Sequence, residues 1–210
     1  MFSKITYDNV VKGLITISLL FMAFGAKAAD FSGNVGINSD NYFRGINMSD
    51  GLGYSAMAKV DAGNLWGGVK VMSLEESSDL MTIAGLGYSK DIAGVGINVA
   101  YIDYGFEGMS LEGWEEVGVG ADFGLFRVQY YKGLDDAGDT YGISTGILKV
   151  FDVAYGDSDL SGSWFEISRS FDLAGGKINV GYIDHEDNED DFIDRVSDVD
   201  NFYVGYSYNF

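Results

Sequence analysis

The chain of 210 residues has no cysteine, no proline and one histidine, and its 13 basic residues face 32 acidic ones. Without cysteine there are no disulfides, no thiolate metal sites and no cysteine nucleophile. A net charge of −19 sets the chain against nucleic acid, whose phosphates need lysine and arginine facing them. The single histidine, His185, lies in a run of acids. A lipase-like site would need a serine beside it and an amide or carboxylate to orient the pair. Ser161, Ser163 and Asn188 are the nearest candidates in sequence, and nothing in their spacing fixes a geometry. Phosphate-binding glycine loops, paired-histidine motifs and aromatics set among basic residues are also missing. No enzyme activity, cofactor or metal is therefore expected. A helical period of 3.6 sustained over ten or more residues is missing as well.

What the chain does contain is 47% hydrophobic residues, 15% aromatics and 30 glycines, too apolar for a disordered acidic protein. At the N-terminus, Lys4 and Lys12 precede the apolar run 14–24 (LITISLLFMAF), followed by Ala26-Lys27-Ala28. A positive start, a short apolar core and a small-x-small end describe a secretory signal peptide. The reading is a leader over residues 1–28, cut after Ala28, and one domain over residues 29–210. The alternative, a membrane anchor, is disfavoured because the run is shorter than the roughly 17–25 residues of a spanning helix. No later run is long enough to span as a helix, so the mature chain is either soluble or crosses a membrane with strands.

From Phe31 onward the period is two. The last stretch, residues 199–210, places Phe202, Val204, Tyr206, Tyr208 and Phe210 on one face and Tyr203, Gly205, Ser207 and Asn209 on the other. Successive side chains of a strand point to opposite faces, so one face is aromatic and the other small or polar. The same alternation recurs in runs such as 94–104, with Val95, Ile97, Val99 and Tyr101 against Gly96, Asn98 and Ala100. About twelve such runs are predicted, an even number as in a single-chain bacterial barrel. Connections alternate in length: short near residues 63–64, 92–94, 124, 148 and 174–176, long at 39–52, 74–79, 105–111, 133–140, 157–162 and 185–198. Short periplasmic turns and long outer loops are the layout of a transmembrane antiparallel β-barrel. Closure requires residues 31–38 to pair with the last strand.

Acids concentrate in the long connections, and residues 184–200 hold nine acids against one arginine. This segment and the stretch beginning Asp157-x-Asp159-x-Ser161-Gly162 lack full calcium-loop spacing and read as solvated outer loops, with divalent-cation binding left open. Trp114 and Trp164 fall near outer strand ends and Trp66 near an inner end, where aromatic belts sit; burial at strand ends is the plainer alternative. Arg169 lies in phase with the apolar residues Phe165, Ile167 and Phe171. Either it snorkels from the lipid face near the periplasmic rim or a bulge shifts the phase.

Residues 35–70 carry a family resemblance. The block Ser39-Asp40-Asn41-Tyr42-Phe43-Arg44-Gly45-Ile46, then Ser49-Asp50-Gly51 and the pair Trp66-Gly67, resembles the opening of the TorF-type porin family, exported proteins otherwise of unknown function. Asn41 departs from the aromatic residue expected after Ser-Asp. The resemblance implies an outer-membrane barrel and a pore; it implies no substrate and carries over no functional residue.

In such a barrel the functional surface is the lumen and the loops. The inward phase contains Lys59, Lys70, Glu116, Asp122, Arg127, Asp152 and Glu166 as candidate lumen-lining residues, among inward glycines. Mixed charges need water or partners, so a narrow wet passage is favoured over a lumen sealed by ion pairs. Arg44 is a candidate at the pore mouth; pairing with Asp40 or Asp50 to shape the loop is the reading preferred for it. The expected function is passive diffusion of small solutes across the outer membrane. The alternatives are a closed structural or surface-interaction barrel, a lipase-like outer-membrane enzyme and a soluble β-sandwich. Expected partners are membrane lipid, lipopolysaccharide, an unidentified small solute and the assembly machinery that reads the strand ending in Phe210.

Overall fold

A computed structural model describes residues 29–49, 51–74, 79–107, 113–134, 138–147, 150–186 and 199–210. The proposed leader, Asp50, Asn188 and most of the acidic connection before the last strand lie outside the described residues.

The strands are β1 (Ala29–Asn38), β2 (Tyr42–Phe43), β3 (Ile46–Asn47), β4 (Gly53–Ala62), β5 (Leu65–Ser73), β6 (Leu80–Ile92) and β7 (Val95–Glu107) in the first half. The second half has β8 (Trp114–Asp122), β9 (Phe126–Gly133), β10 (Asp139–Ile147), β11 (Phe151–Ser158), β12 (Gly162–Leu173), β13 (Gly176–Glu186) and β14 (Val199–Asn209). Twelve of them form a closed antiparallel barrel, and β2 and β3 form a separate hairpin. No helix occurs among the described residues. β1 closes the ring, pairing with β4 on one side and β14 on the other, from Asn34↔Asn209 to Asn38↔Gly205. Gly33 and Phe210 add two backbone hydrogen bonds, at 2.8 and 3.0 Å. A closed ring leaves no strand edge, so every ladder group finds a partner without water.

Alternation decides the faces. In β14, Phe202, Val204, Tyr206 and Tyr208 are exposed while Gly205 is buried. In β8, Val117 and Val119 are exposed between buried Glu116, Gly118 and Gly120. The exterior is thus a band of aliphatic and aromatic side chains with no layer of the described residues over it, the surface a bilayer interior would cover.

At one end the connections are tight. Ala93-Gly94 and Ala174-Gly175 have positive φ at both residues (54° and 84°; 51° and 84°), the two-residue turn that suits the twist of antiparallel strands. The long connections all leave from the opposite end, called here the loop end. Several strands extend past their predicted limits: β7 runs to Glu107 and β13 to Glu186. Ladder hydrogen bonds do not depend on hydropathy, so pairing continues beyond the apolar band into polar residues.

Arg169 is settled by register. β12 pairs without interruption with β13 from Ser163↔Glu186 to Leu173↔Gly176, Arg169 facing Val180. No bulge is present there, and Arg169 stays outward with its guanidinium 4.6 Å from the Phe171 ring centre and 5.8 Å from that of Phe151. The aromatic-belt expectation fails for the tryptophans, because all three side chains turn inward. Trp66 donates to Asn98 Oδ1 at 2.8 Å, Trp114 stacks on Tyr104 at 4.9 Å, and Trp164 covers Gly156, where a Cβ would meet the indole.

Candidate functional site

The first long connection does not stay outside. β2 and β3 form a hairpin whose turn is Arg44-Gly45, with φ of 51° and 87°. This hairpin touches wall strands all around the ring. Asn41 Nδ2 reaches the Tyr54 carbonyl (3.2 Å) and Ser73 (O at 3.0 Å, Oγ at 3.2 Å), at the loop ends of β4 and β5. Tyr42 accepts from Asn201 Nδ2 at 2.9 Å and packs its ring on Tyr203 of β14. Gly45 lies against Trp164 of β12 and His185 of β13. Arg44 reaches β7, β8 and β9. A segment that touches all these walls crosses the lumen.

The local sequence explains the docking. Ile46 and Met48 of the hairpin are buried with Met72, Leu74, Met81, Tyr104 and Trp114. These wall residues continue the inward phase at the loop ends of β5 to β8, where the interior changes from small and polar to apolar. Burying each large side chain contributes about 1.5–3 kcal/mol, so this patch holds the hairpin. Asn41 is 2% exposed; besides its amide contacts, its backbone N–H donates to Ser49 Oγ at 2.7 Å. Gly53 must be glycine here, because a Cβ would lie 2.5 Å from the Asn41 amide.

For Arg44 the structure gives a partner the sequence reading did not name, while Asp40 accepts from Asn47 Nδ2 at 3.1 Å and Asp50 lies outside the described residues. The Arg44 guanidinium forms a two-pronged contact with Glu116, Nη1 to Oε1 at 2.7 Å and Nη2 to Oε2 at 2.6 Å. The Tyr104 hydroxyl donates to Glu116 Oε2 at 3.0 Å and accepts from Arg44 Nη2 at 3.2 Å. The rings of Phe43, Tyr104 and Tyr131 surround the guanidinium at 5.0, 5.6 and 5.4 Å. The two side chains are 10% and 0% exposed. Burial alone would push the guanidinium pKa down, but the hydrogen bonds and charge of Glu116 hold it above its ordinary value. Arg44 is therefore charged at any physiological pH.

Most of the other candidates sit toward the turn end. Asp122 and Arg127 pair at 2.8 Å. With Asp152, Glu166, Ser144 and Ser168 they line a cavity of about 350 Å³. Glu166 accepts a short hydrogen bond from Tyr203. On the far side of the ring, Lys59 pairs with Asp61 at 2.8 Å and lies 5.9 Å from the Trp66 ring. Lys70 is half-buried on β5 between Met57 and Ile83, its cross-strand neighbours. The candidates thus fall into two groups, Arg44 with Glu116 at the loop end and Asp122, Arg127, Asp152, Glu166 and Lys59 toward the turn end, while Lys70, two positions before Met72, stands between them.

His185 is 2% exposed, and its Nε2 donates to the Ser161 carbonyl rather than facing the hydroxyl. Ser161 Oγ instead lies 3.4 Å from the Arg44 carbonyl. This is no nucleophile–base pair. Asp159 accepts from the Asp139 backbone N–H at 2.8 Å, tying its loop to β10.

No family model and no curated protein matches the chain. Among solved structures it is similar to the KdgM porin, with a TM-score of 0.57 at 14% identity over 85% of this chain and 99% of that one. It is also similar to the KdgM porin in complex with disordered oligogalacturonate, with a TM-score of 0.54 at 12% identity over 87% and 99% of the two chains. An active-site mutant of the outer membrane phospholipase A of Escherichia coli follows at a TM-score of 0.47 and 10% identity over 84% and 89%, too distant to bear on activity. At these identities the likeness shows the fold, a closed antiparallel β-barrel of the kind these outer-membrane proteins have, and nothing of substrate.

Proposed function

We propose that the chain is an outer-membrane channel for small solutes whose outer end is narrowed by the β2–β3 hairpin. The observation that carries this reading is the contrast along the lumen. Toward the turn end the interior is hollow and polar, around the cavity of about 350 Å³. At the loop end the hairpin spans it, held by an apolar patch and the Arg44–Glu116 pair. The likeness to KdgM supports the channel class; oligogalacturonate is that protein's ligand, and the excess acid of this chain argues for a different solute. On this reading the turns face the periplasm and the acidic loops the outside, and the apolar band meets lipid with lipopolysaccharide at the outer rim. Solutes pass Asp122, Arg127, Asp152 and Glu166 on one side and Lys59 and Lys70 on the other. The assembly machinery reads the strand ending in Phe210, so deleting Phe210 lowers the fraction inserted in the outer membrane.

The specific rival is a closed structural barrel, favoured by the number of walls the hairpin touches. Single-channel recording separates the two. Refolded wild-type protein should pass small or intermittent currents, and a variant with residues 40–49 replaced by a short glycine-serine link should pass a larger, steady one. Silence from both variants in planar bilayers would sink the channel reading.

A further inference from the structure

The wall against which Arg44 rests has the makings of a receptor in its own right. Glu116 comes from β8, Tyr104 from β7 and Tyr131 from β9, and the three strands are tied by uninterrupted ladders that pair Ile102 with Glu116 and Gly118 with Tyr131. Gly118 is part of the design, since a Cβ there would meet the Tyr131 ring at 2.5 Å. The occupant is different in kind. Arg44 rides on a two-residue turn between two-residue strands, in the left-handed region at φ 51°, a conformation that strains a non-glycine residue. A rigid pocket is thus filled by a side chain delivered on a slender, strained support.

The chemistry of the pocket is selective. A carboxylate that offers both oxygens to two N–H groups fits a planar fork, and two aromatic faces from the wall attract a flat cation. An ammonium is a compact point charge without the planar fork that matches both carboxylate oxygens through two nitrogens. Glu116 is buried while the hairpin is docked, and a cation that takes the place of Arg44 keeps the carboxylate paired.

We propose that Glu116, Tyr104 and Tyr131 form a binding site for guanidinium-bearing small cations, occupied in the structure by the chain's own Arg44, which such a ligand displaces together with the hairpin. The binding step stands apart from the channel reading, because it is measured on the folded barrel and not as current.

The test removes the internal occupant. Detergent-solubilised Arg44→Ala barrel is unfolded in the presence of millimolar methylguanidinium or, at equal ionic strength, methylammonium, with tryptophan fluorescence as readout. The unfolding midpoint should rise with methylguanidinium and not with methylammonium, and the rise should vanish when Glu116→Gln is added. Wild-type protein should need at least ~10-fold more methylguanidinium for the same shift, since a tethered competitor acts at millimolar effective concentration. Equal response to the two cations, or a response that survives Glu116→Gln, overturns the proposal. If Arg44→Ala refolds poorly by itself, refolding yield becomes the readout: rescue by methylguanidinium alone supports the site, and no rescue overturns it.

Discussion

Arg44 and Glu116 stand 72 positions apart in the chain, yet their side chains share a two-pronged contact at 2.7 and 2.6 Å inside the barrel. One comes from a loop turn and the other from a wall strand, so the pair couples the position of the hairpin to the barrel.

Breaking a buried ion pair from one side costs about 3–5 kcal/mol when the remaining charge stays buried. Here the hairpin can leave and let water reach Glu116, so the cost is capped by the free energy of undocking. Arg44→Ala should therefore raise single-channel conductance and make the 39–52 connection more sensitive to protease. Replacing both partners with apolar residues, Arg44→Met with Glu116→Leu, should keep the mouth closed. Conductance and cleavage unchanged in Arg44→Ala would show that the pair does not hold the hairpin.

Asn41 holds the other root of the hairpin, through Tyr54 and Ser73. Asn41→Leu removes the amide that donates to the buried Ser73 carbonyl, and a buried acceptor left unsatisfied costs about 1–3 kcal/mol. The expected outcome is a released hairpin, measured by faster hydrogen exchange at Met48, whose N–H donates to the Asn41 carbonyl. Exchange as slow as in wild type would assign the docking to the apolar patch alone.

The exterior should respond to depth. Ile143 faces outward in the middle of β10 and is 46% exposed, and Ile143→Arg should cost about 2–4 kcal/mol in lipid, as for arginine near the midplane. Arg169 already rests on Phe171 toward the turn end, so Arg169→Ala should cost less than about 1 kcal/mol. Unfolding in lipid vesicles measures both. Equal costs would mean that the band is not where the membrane lies.

In the turn-end cavity Asp122 and Arg127 neutralise each other, which leaves Asp152 and Glu166 as its net charge. Asp152→Asn with Glu166→Gln should lower the permeability of cations relative to anions, with the effect weakening as salt rises and screens the charges. Reversal potentials under a salt gradient give the ratio, and an unchanged ratio would remove these two residues from selectivity.

Much of this protein is legible in its amino-acid order. Alternation by two in runs such as 94–104 and 199–210 places the exposed and inward faces, and the uneven connections point to a membrane barrel. That alternation is local, since a side chain's face depends only on its position in its own strand, so it survives without knowledge of neighbours. The phase even puts Trp114 and Trp164 inward; the belt expectation fails because it judges them by height along the strand. A signal for the hairpin's seat is also present. Met72, Met81, Ile83, Ile102, Tyr104 and Trp114 are apolar in the inward phase, and an apolar patch inside a wet barrel demands a cover.

The amino-acid order by itself determined a barrel of about twelve strands, their two faces and, given closure, the pairing of its first strand with its last. Only the tertiary structure decided what fills the barrel. Arg44 and Glu116 were both visible as candidates, but Asp40 was nearer in sequence, and nothing local sends the arginine past it to Glu116. Closing the ring brings β8 to face the hairpin and buries Glu116 with Arg44 as the one cation paired to it among the described residues. A buried carboxylate must find a cation, and the one the fold delivers is Arg44.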